Sequence, residues 1–316
     1  MTWKQWLVGG PQPPWLRWVF ALGALSLLTR LVLNSSFGTT AVFYVLVPYI
    51  FGLVIYIWVP PSRAMTKAGR AGRHIRSATI FMLASSAILF EGFLCVLFAF
   101  PIYLIFAGVV LALLPPPTGR PNADQRRSIG DTFRVSWVPV LVVVMSLEGT
   151  HPSLSFERDH SVTRTRIVEA SVAEIQGKLA EPIVFTETRS RFLSLFPLPH
   201  RVEAGTLGEG DVHTSHFRYR RWPVGNTHDG AISVELSEVG PERIRTRVLR
   251  DDTYFSHYLT VKGTQIDFAP RADGTTEVSL TIHYRRDLDP AWYFGPLQRR
   301  AMSESADYLI EQLATP

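Results

Sequence analysis

The sequence holds a single cysteine among its 316 residues, Cys95, and that residue lies inside an apolar run. No intramolecular disulfide can form, and a Cys-based metal site is excluded. Acidic residues are scarce in one half only. Residues 1–150 hold twelve Lys and Arg but four Asp and Glu, whereas residues 151–316 hold twenty against twenty-three. The net charge of +5 is therefore a property of the first half. It falls in short stretches between apolar runs, which membrane orientation and anionic headgroups explain better than nucleic acid, so nucleic acid is not an expected partner. No Gly-x-Ser-x-Gly elbow is present to expose a nucleophilic serine. The second half carries eight histidines, yet their spacing describes no metal site. His213 and His216 are three apart on a strand and point to opposite faces, and His200, His228 and His257 lie in separate segments. No metal and no other cofactor is expected.

What the first half has instead is length of apolar run. A helix needs about 20 apolar residues to cross a bilayer. Trp15 to Asn34 carries only Arg17 and Arg30, near its ends, and Ala41 to Pro60 carries no charge. No small-residue cleavage site follows the first run, so it is read as an uncleaved span. Ser77 to Leu114 is interrupted at Glu91-Gly92 and at Phe100-Pro101. Two short helices in a hairpin, or one span joined to a re-entrant helix, would both satisfy the backbone there. The stretch 60–77 holds Arg63, Lys67, Arg70, Arg73 and Arg76 with no acid, and 115–134 is also rich in Arg. Both belong on the cytoplasmic side, which favours the hairpin. Spans are thus expected at 15–34, 41–60, 77–95, 97–114 and 134–149. The last is short: as a span it sends the C-terminal half outside the cytoplasm, and with Val140 to Met145 as a strand or a surface segment that half stays inside. The expectation is an integral protein of a bacterial plasma membrane with an extracytoplasmic C-terminal half.

After residue 150 the pattern becomes alternation. Ser161 to Ala170 reads as a strand, and Ser171-Val-Ala-Glu174 as a capping box opening a helix through Leu179. Strands follow at Val212 to Trp222, Ala231 to Leu236 and Ile244 to Val248, then Tyr258 to Phe268 and Thr276 to Arg285 around a hairpin at Asp273-Gly274. Pro296 is read as the first residue of a long amphipathic helix through Leu297, Ala301, Ala306, Leu309 and Leu313.

That order resembles the SRPBCC superfamily of START lipid-transfer domains and polyketide cyclases. The resemblance covers about Thr163 to Leu313. It rests on the strand entering Glu169-Ala-Ser-Val-Ala-Glu174-Ile, on Gly208-Glu-Gly210-Asp-Val212 before a strand ending in Phe217, and on Thr281-Ile-His-Tyr284 into Pro290-Ala-Trp-Tyr293. It implies an α+β helix-grip domain over 151–316, a curved antiparallel sheet wrapped on a long C-terminal helix, joined to a helical transmembrane region over 1–150. It also implies an apolar cavity between sheet and helix.

Strand parity places Phe217, Tyr219, Val234, Val248, Ile282 and Tyr284 toward that cavity, with His213 as the polar candidate sharing their face. Asp211, Glu235, Asp267 and His283 are the other acid/base candidates, and alternation sets Asp267 and His283 on the wet face. Arg218, Arg220 and Arg221 read as an exposed cluster. The leading expectation is a membrane-anchored module that binds a lipid or other hydrophobic small molecule, or transfers it to or from the bilayer. A cyclase- or aromatase-like enzyme is the second reading, and a structural or protein-interaction module of the membrane the third.

Overall fold

The computed structural model describes residues 39–58, 67–88, 93–113, 129–185, 190–196, 199–220 and 227–314. The chain divides into two compact units, Met1–Phe156 and Glu157–Pro316.

The described part of the first unit is helical. A π-helical turn, Val42–Leu46, leads into α1, Val47–Trp58. α2 spans Lys67–Ile88, α3 Phe93–Leu113 and α4 Ile129–Ser146. Val42, Val45, Leu46 and Tyr49 are buried, as are Ile102, Phe106, Val110 and Val142. The Ala41 N–H donates to the Glu148 carbonyl at 3.1 Å, joining the two ends of the described unit.

Several expectations are corrected here. The basic stretch 60–77 is helical from Lys67 onward, because Lys, Arg and Ala are good helix formers and their charge is no obstacle to a helix. Phe100-Pro101 is no break: α3 runs through Pro101, which removes only the N–H that would serve the carbonyl four residues earlier. Val140 to Met145 is helical, not a strand, since a full helical run from Ile129 carries it. The expected span 15–34, Pro60 and the Glu91-Gly92 break lie outside the described residues. Among the described residues no helix is long and apolar enough to cross a membrane.

The second unit is an eight-stranded antiparallel sheet, ordered β1-β8-β7-β6-β5-β4-β3-β2. Its strands are β1 Asp159–Val168, β2 Ile183–Val184, β3 Pro199–Glu203, β4 Val212–Arg220, β5 Thr227–Val239, β6 Arg243–Asp251, β7 Leu259–Pro270 and β8 Thr276–Arg286. α5, Val172–Leu179, follows β1, and α6, Ala291–Ala314, closes the chain. The capping box is present: Ser171 Oγ accepts from the Glu174 N–H at 3.4 Å, and Glu174 Oε2 accepts from the Ser171 N–H at 2.7 Å. Pro296 is inside α6 rather than at its start, because the Pro290 carbonyl accepts from the N–H groups of Tyr293 and Phe294 and opens the helix earlier.

Irregularities in register at Pro199/Arg201, Ser233/Val234, Leu236/Glu238 and Val261/Gly263 bend the sheet. At the last of these the strands approach so closely that a Cβ on Gly263 would lie 2.1 Å from the Thr246 carbonyl oxygen. The sheet curves around α6, whose Ala306 and Ile310 pack with Leu236, Ile244, Ile266, Leu280 and Ile282 in one buried cluster. Along β1 ion pairs with α6 add to the buried Val168: Arg164 Nε meets Asp307 at 3.2 Å and Arg166 Nη1 meets Glu311 at 2.5 Å. A curved antiparallel sheet gripping a C-terminal helix is the architecture the resemblance implies.

Candidate functional site, the concave face of the sheet

The pairing register fixes which side chains share the concave face. Val278, Leu280, Ile282, Tyr284 and Arg286 alternate as buried residues along β8. Ile244 pairs with Ile266, and Val234 pairs both with His213 and with Val248. His213, Phe217, Val234, Val248, Ile282 and Tyr284 therefore stand on one face, and they fall into different surroundings there.

Ile282 belongs to the cluster sealed under α6. Tyr284 is buried with Val162 and Leu259, its ring 5.8 Å from that of His160, and burial pushes its hydroxyl pKa up. Phe217 is buried and meets Phe255 edge-on at 5.4 Å. Val234 and Val248, adjacent across the β5–β6 ladder, are only half-buried. Tyr219 pairs with His228, and its side chain is outside the described set.

His213 is buried, and its Nε2 bonds the Thr206 carbonyl at 2.8 Å. A carbonyl only accepts, so Nε2 carries the proton in this bond. The segment it holds is knitted further by Asp211, whose Oδ2 accepts from Thr206 Oγ1 at 2.5 Å and from the Gly208 N–H at 2.7 Å. Those two bonds hold the Asp211 carboxyl below its ordinary range. His213 thus secures the entry to β4.

The remaining acid/base candidates are turned outward or paired. Asp267 accepts from Arg243 at 2.6 Å and Glu235 from Arg247 at 2.6 Å, while His283 is exposed. Arg218 pairs with Asp229 at 3.0 Å on the exposed side; the Arg220 side chain and Arg221 lie outside the described set. His216 Nε2 lies 3.2 Å from Glu203, and the rings of His200 and His216 are 6.4 Å apart. Among the described residues no group of three or more His, Cys, Asp and Glu could hold a metal ion.

Sequence reading missed the segment 251–258 that links β6 to β7. Asp251 pairs with Ile232 on the concave face, Phe255 covers Phe217, and the Tyr258 carbonyl accepts from Gln298 Nε2 on α6 at 3.0 Å. The available signal was Gln298 itself, an amide between the buried Phe294 and Ala301.

No family model matches the chain, and no curated protein does. Solved structures do resemble it. A Thermus thermophilus protein is 17% identical over 49% of this chain and 94% of its own, with a TM-score of 0.31. A START superfamily protein of Mycobacterium smegmatis is 15% identical, covering 49% and 94%, with a TM-score of 0.30. The Zhui aromatase/cyclase of a Streptomyces species is 14% identical, covering 49% and 91%, with a TM-score of 0.31.

Proposed function

We propose that the helix-grip unit binds a lipid or other apolar small molecule against the concave face of its sheet, and that residues 1–150 hold it at a bilayer. One observation carries the binding reading. Val234 and Val248 are apolar neighbours on a face whose other end is sealed under α6, yet they stay half-buried. An apolar surface that the fold curves around but does not fill suits an apolar ligand. The polar candidates argue for binding rather than catalysis, because His213, Asp211, Glu235 and Asp267 are each engaged in a bond that serves the fold.

Anchoring is supported by α4. Val140, Leu141 and Val144 are 51, 56 and 58% exposed at helical spacing, so one face of that helix is apolar and largely exposed. Such a stripe is unfavourable in water and suited to lipid. The sequence of α3 contains no charged residue, which favours apolar surroundings for it. The orientation we propose is the expected one, with residues after 150 outside the cytoplasm of a bacterial plasma membrane.

The test is to purify the whole chain in mild detergent, extract it with organic solvent and identify bound lipid by mass spectrometry. In parallel, an apolar fluorescent dye is titrated into the same preparation. Bound lipid, or saturable dye binding, is expected; a chain that carries no lipid and takes up no dye beyond the detergent blank overturns the reading.

A further inference from the structure

The inner stripe of α6 is interrupted by one buried amide. Phe294, Ala301, Ala306 and Ile310 are buried along it, and Gln298 is buried with them at 9% exposure. An amide on an apolar stripe departs from the pattern of a packed helix, and such departures concentrate at functional positions. Gln298 Nε2 donates to the Tyr258 carbonyl at 3.0 Å. Because a carbonyl cannot donate, this bond settles the amide orientation: nitrogen toward Tyr258, Oε1 away from it. Oε1 is buried and accepts no hydrogen bond.

A second acceptor shares that condition. Asp251 Oδ1 accepts from the Thr253 N–H at 2.9 Å and from Thr253 Oγ1 at 2.5 Å, while Oδ2 is buried and accepts none. By register Asp251 stands beside Ile232 on the concave face. The segment 251–258 thus carries one unsatisfied acceptor at its first residue, and its last residue is pinned by the side chain that carries the other.

We propose that Gln298 reads the polar end of the bound molecule, and that this end is a hydrogen-bond donor, a hydroxyl or an amine, rather than a carboxylate or phosphate. The inference rests on the apolar-ligand reading above. A buried acceptor without a donor is unfavourable, and a ligand hydroxyl supplies the missing proton. A carboxylate or phosphate brings only further acceptors.

The test compares dodecane, dodecanol and dodecanoate as competitors of an apolar dye on the full chain in a fixed detergent, each corrected for partition into protein-free micelles. Dodecanol is expected to compete best. Gln298→Met is expected to weaken dodecanol about tenfold, the equivalent of one hydrogen bond, and to change dodecane less than about twofold. Weakening of alcohol and hydrocarbon alike overturns the proposal, because it shows that Gln298 only pins the 251–258 segment. Dodecanoate outcompeting dodecanol on the unmodified chain overturns it as well, and that comparison stands if the variant fails to fold. Dye displacement by dodecane without preference for dodecanol defeats this inference alone; no displacement by any of the three defeats the apolar-ligand reading with it.

Discussion

At the residue scale, two substitutions separate what the sheet needs from what the site needs. Gly263 is demanded by a close approach of strands: a Cβ there meets the Thr246 carbonyl oxygen at 2.1 Å and backbone carbon at 3.1 Å. Backbone cannot rotate away as a flexible side chain would, so Gly263→Ala must push β6 from β7. We expect a loss of more than about 2 kcal/mol, read as a lowered urea midpoint of the β unit followed by circular dichroism. Val234 is the opposite case. It is half-buried on the concave face, with Val248 as its cross-strand neighbour. Val234→Trp should fill the space a ligand would occupy and abolish dye binding, while lowering stability by about 1–3 kcal/mol. A folded Val234→Trp chain that binds the dye as tightly as the unmodified chain places the ligand elsewhere. The shared face of His213, Phe217, Val234, Ile282 and Tyr284 was legible from strand parity taken together with the superfamily resemblance. The engagement of His213 was not, because its partner is a backbone carbonyl seven residues earlier in a segment without periodicity.

At the scale of elements, legibility follows how strongly each is patterned. β8 alternates buried and outward residues over its whole length, and its hairpin with β7 turns at Gly274 with φ +81°, as Asp273-Gly274 announced. β2 has two residues and β3 five, too short for alternation to register against the surrounding loop. Helix starts divide the same way. The start of α5 was visible because its cap is made by side chains, Ser171 and Glu174, whereas α6 opens on the Pro290 carbonyl and leaves no side-chain signature. The α5 cap gives a pH prediction whose sign can be worked out. Glu174 is held below the ordinary carboxylate range, first by the Ser171 backbone N–H and then by its hydroxyl. A carboxyl lowered on folding stabilises the fold above its unfolded pKa, and that contribution is lost as pH falls through the folded value. The stability difference between the unmodified chain and Glu174→Gln should therefore be full at neutral pH and vanish on the acid side of the ordinary carboxylate range. A difference that persists unchanged to strongly acid pH shows that the carboxylate charge contributes nothing to the cap. Ile310, fully buried against the sheet, gives the packing counterpart: Ile310→Ala should lower stability by about 2–5 kcal/mol, measured by the same urea midpoint.

At the scale of the whole molecule, the two units carry different chemistry on one chain. The second buries its own apolar cluster and lays ion pairs over its outer face, among them Arg243–Asp267 and Arg247–Glu235. The first leaves Val140, Leu141 and Val144 exposed on α4 and has a net excess of basic residues. Those facts lead to a prediction about sides of a membrane. The basic residues Lys67, Arg70, Arg73 and Arg76 stand in the N-terminal half of α2 rather than in a loop. Arg120, Arg126 and Arg127 fall between α3 and α4. On the orientation we propose both groups stay cytoplasmic, which requires an even number of crossings between them and a further crossing before residue 150. A periplasm-active enzyme fused after Gly149 should then be active and a cytoplasm-only fluorescent reporter dark, with the pattern reversed for fusions after Arg127. Carbonate-resistant sedimentation of the whole chain is the companion measurement. A chain that leaves the membrane fraction under carbonate is not integral. A chain that stays, with a bright cytoplasmic reporter after Gly149, is integral with its C-terminal half on the cytoplasmic side.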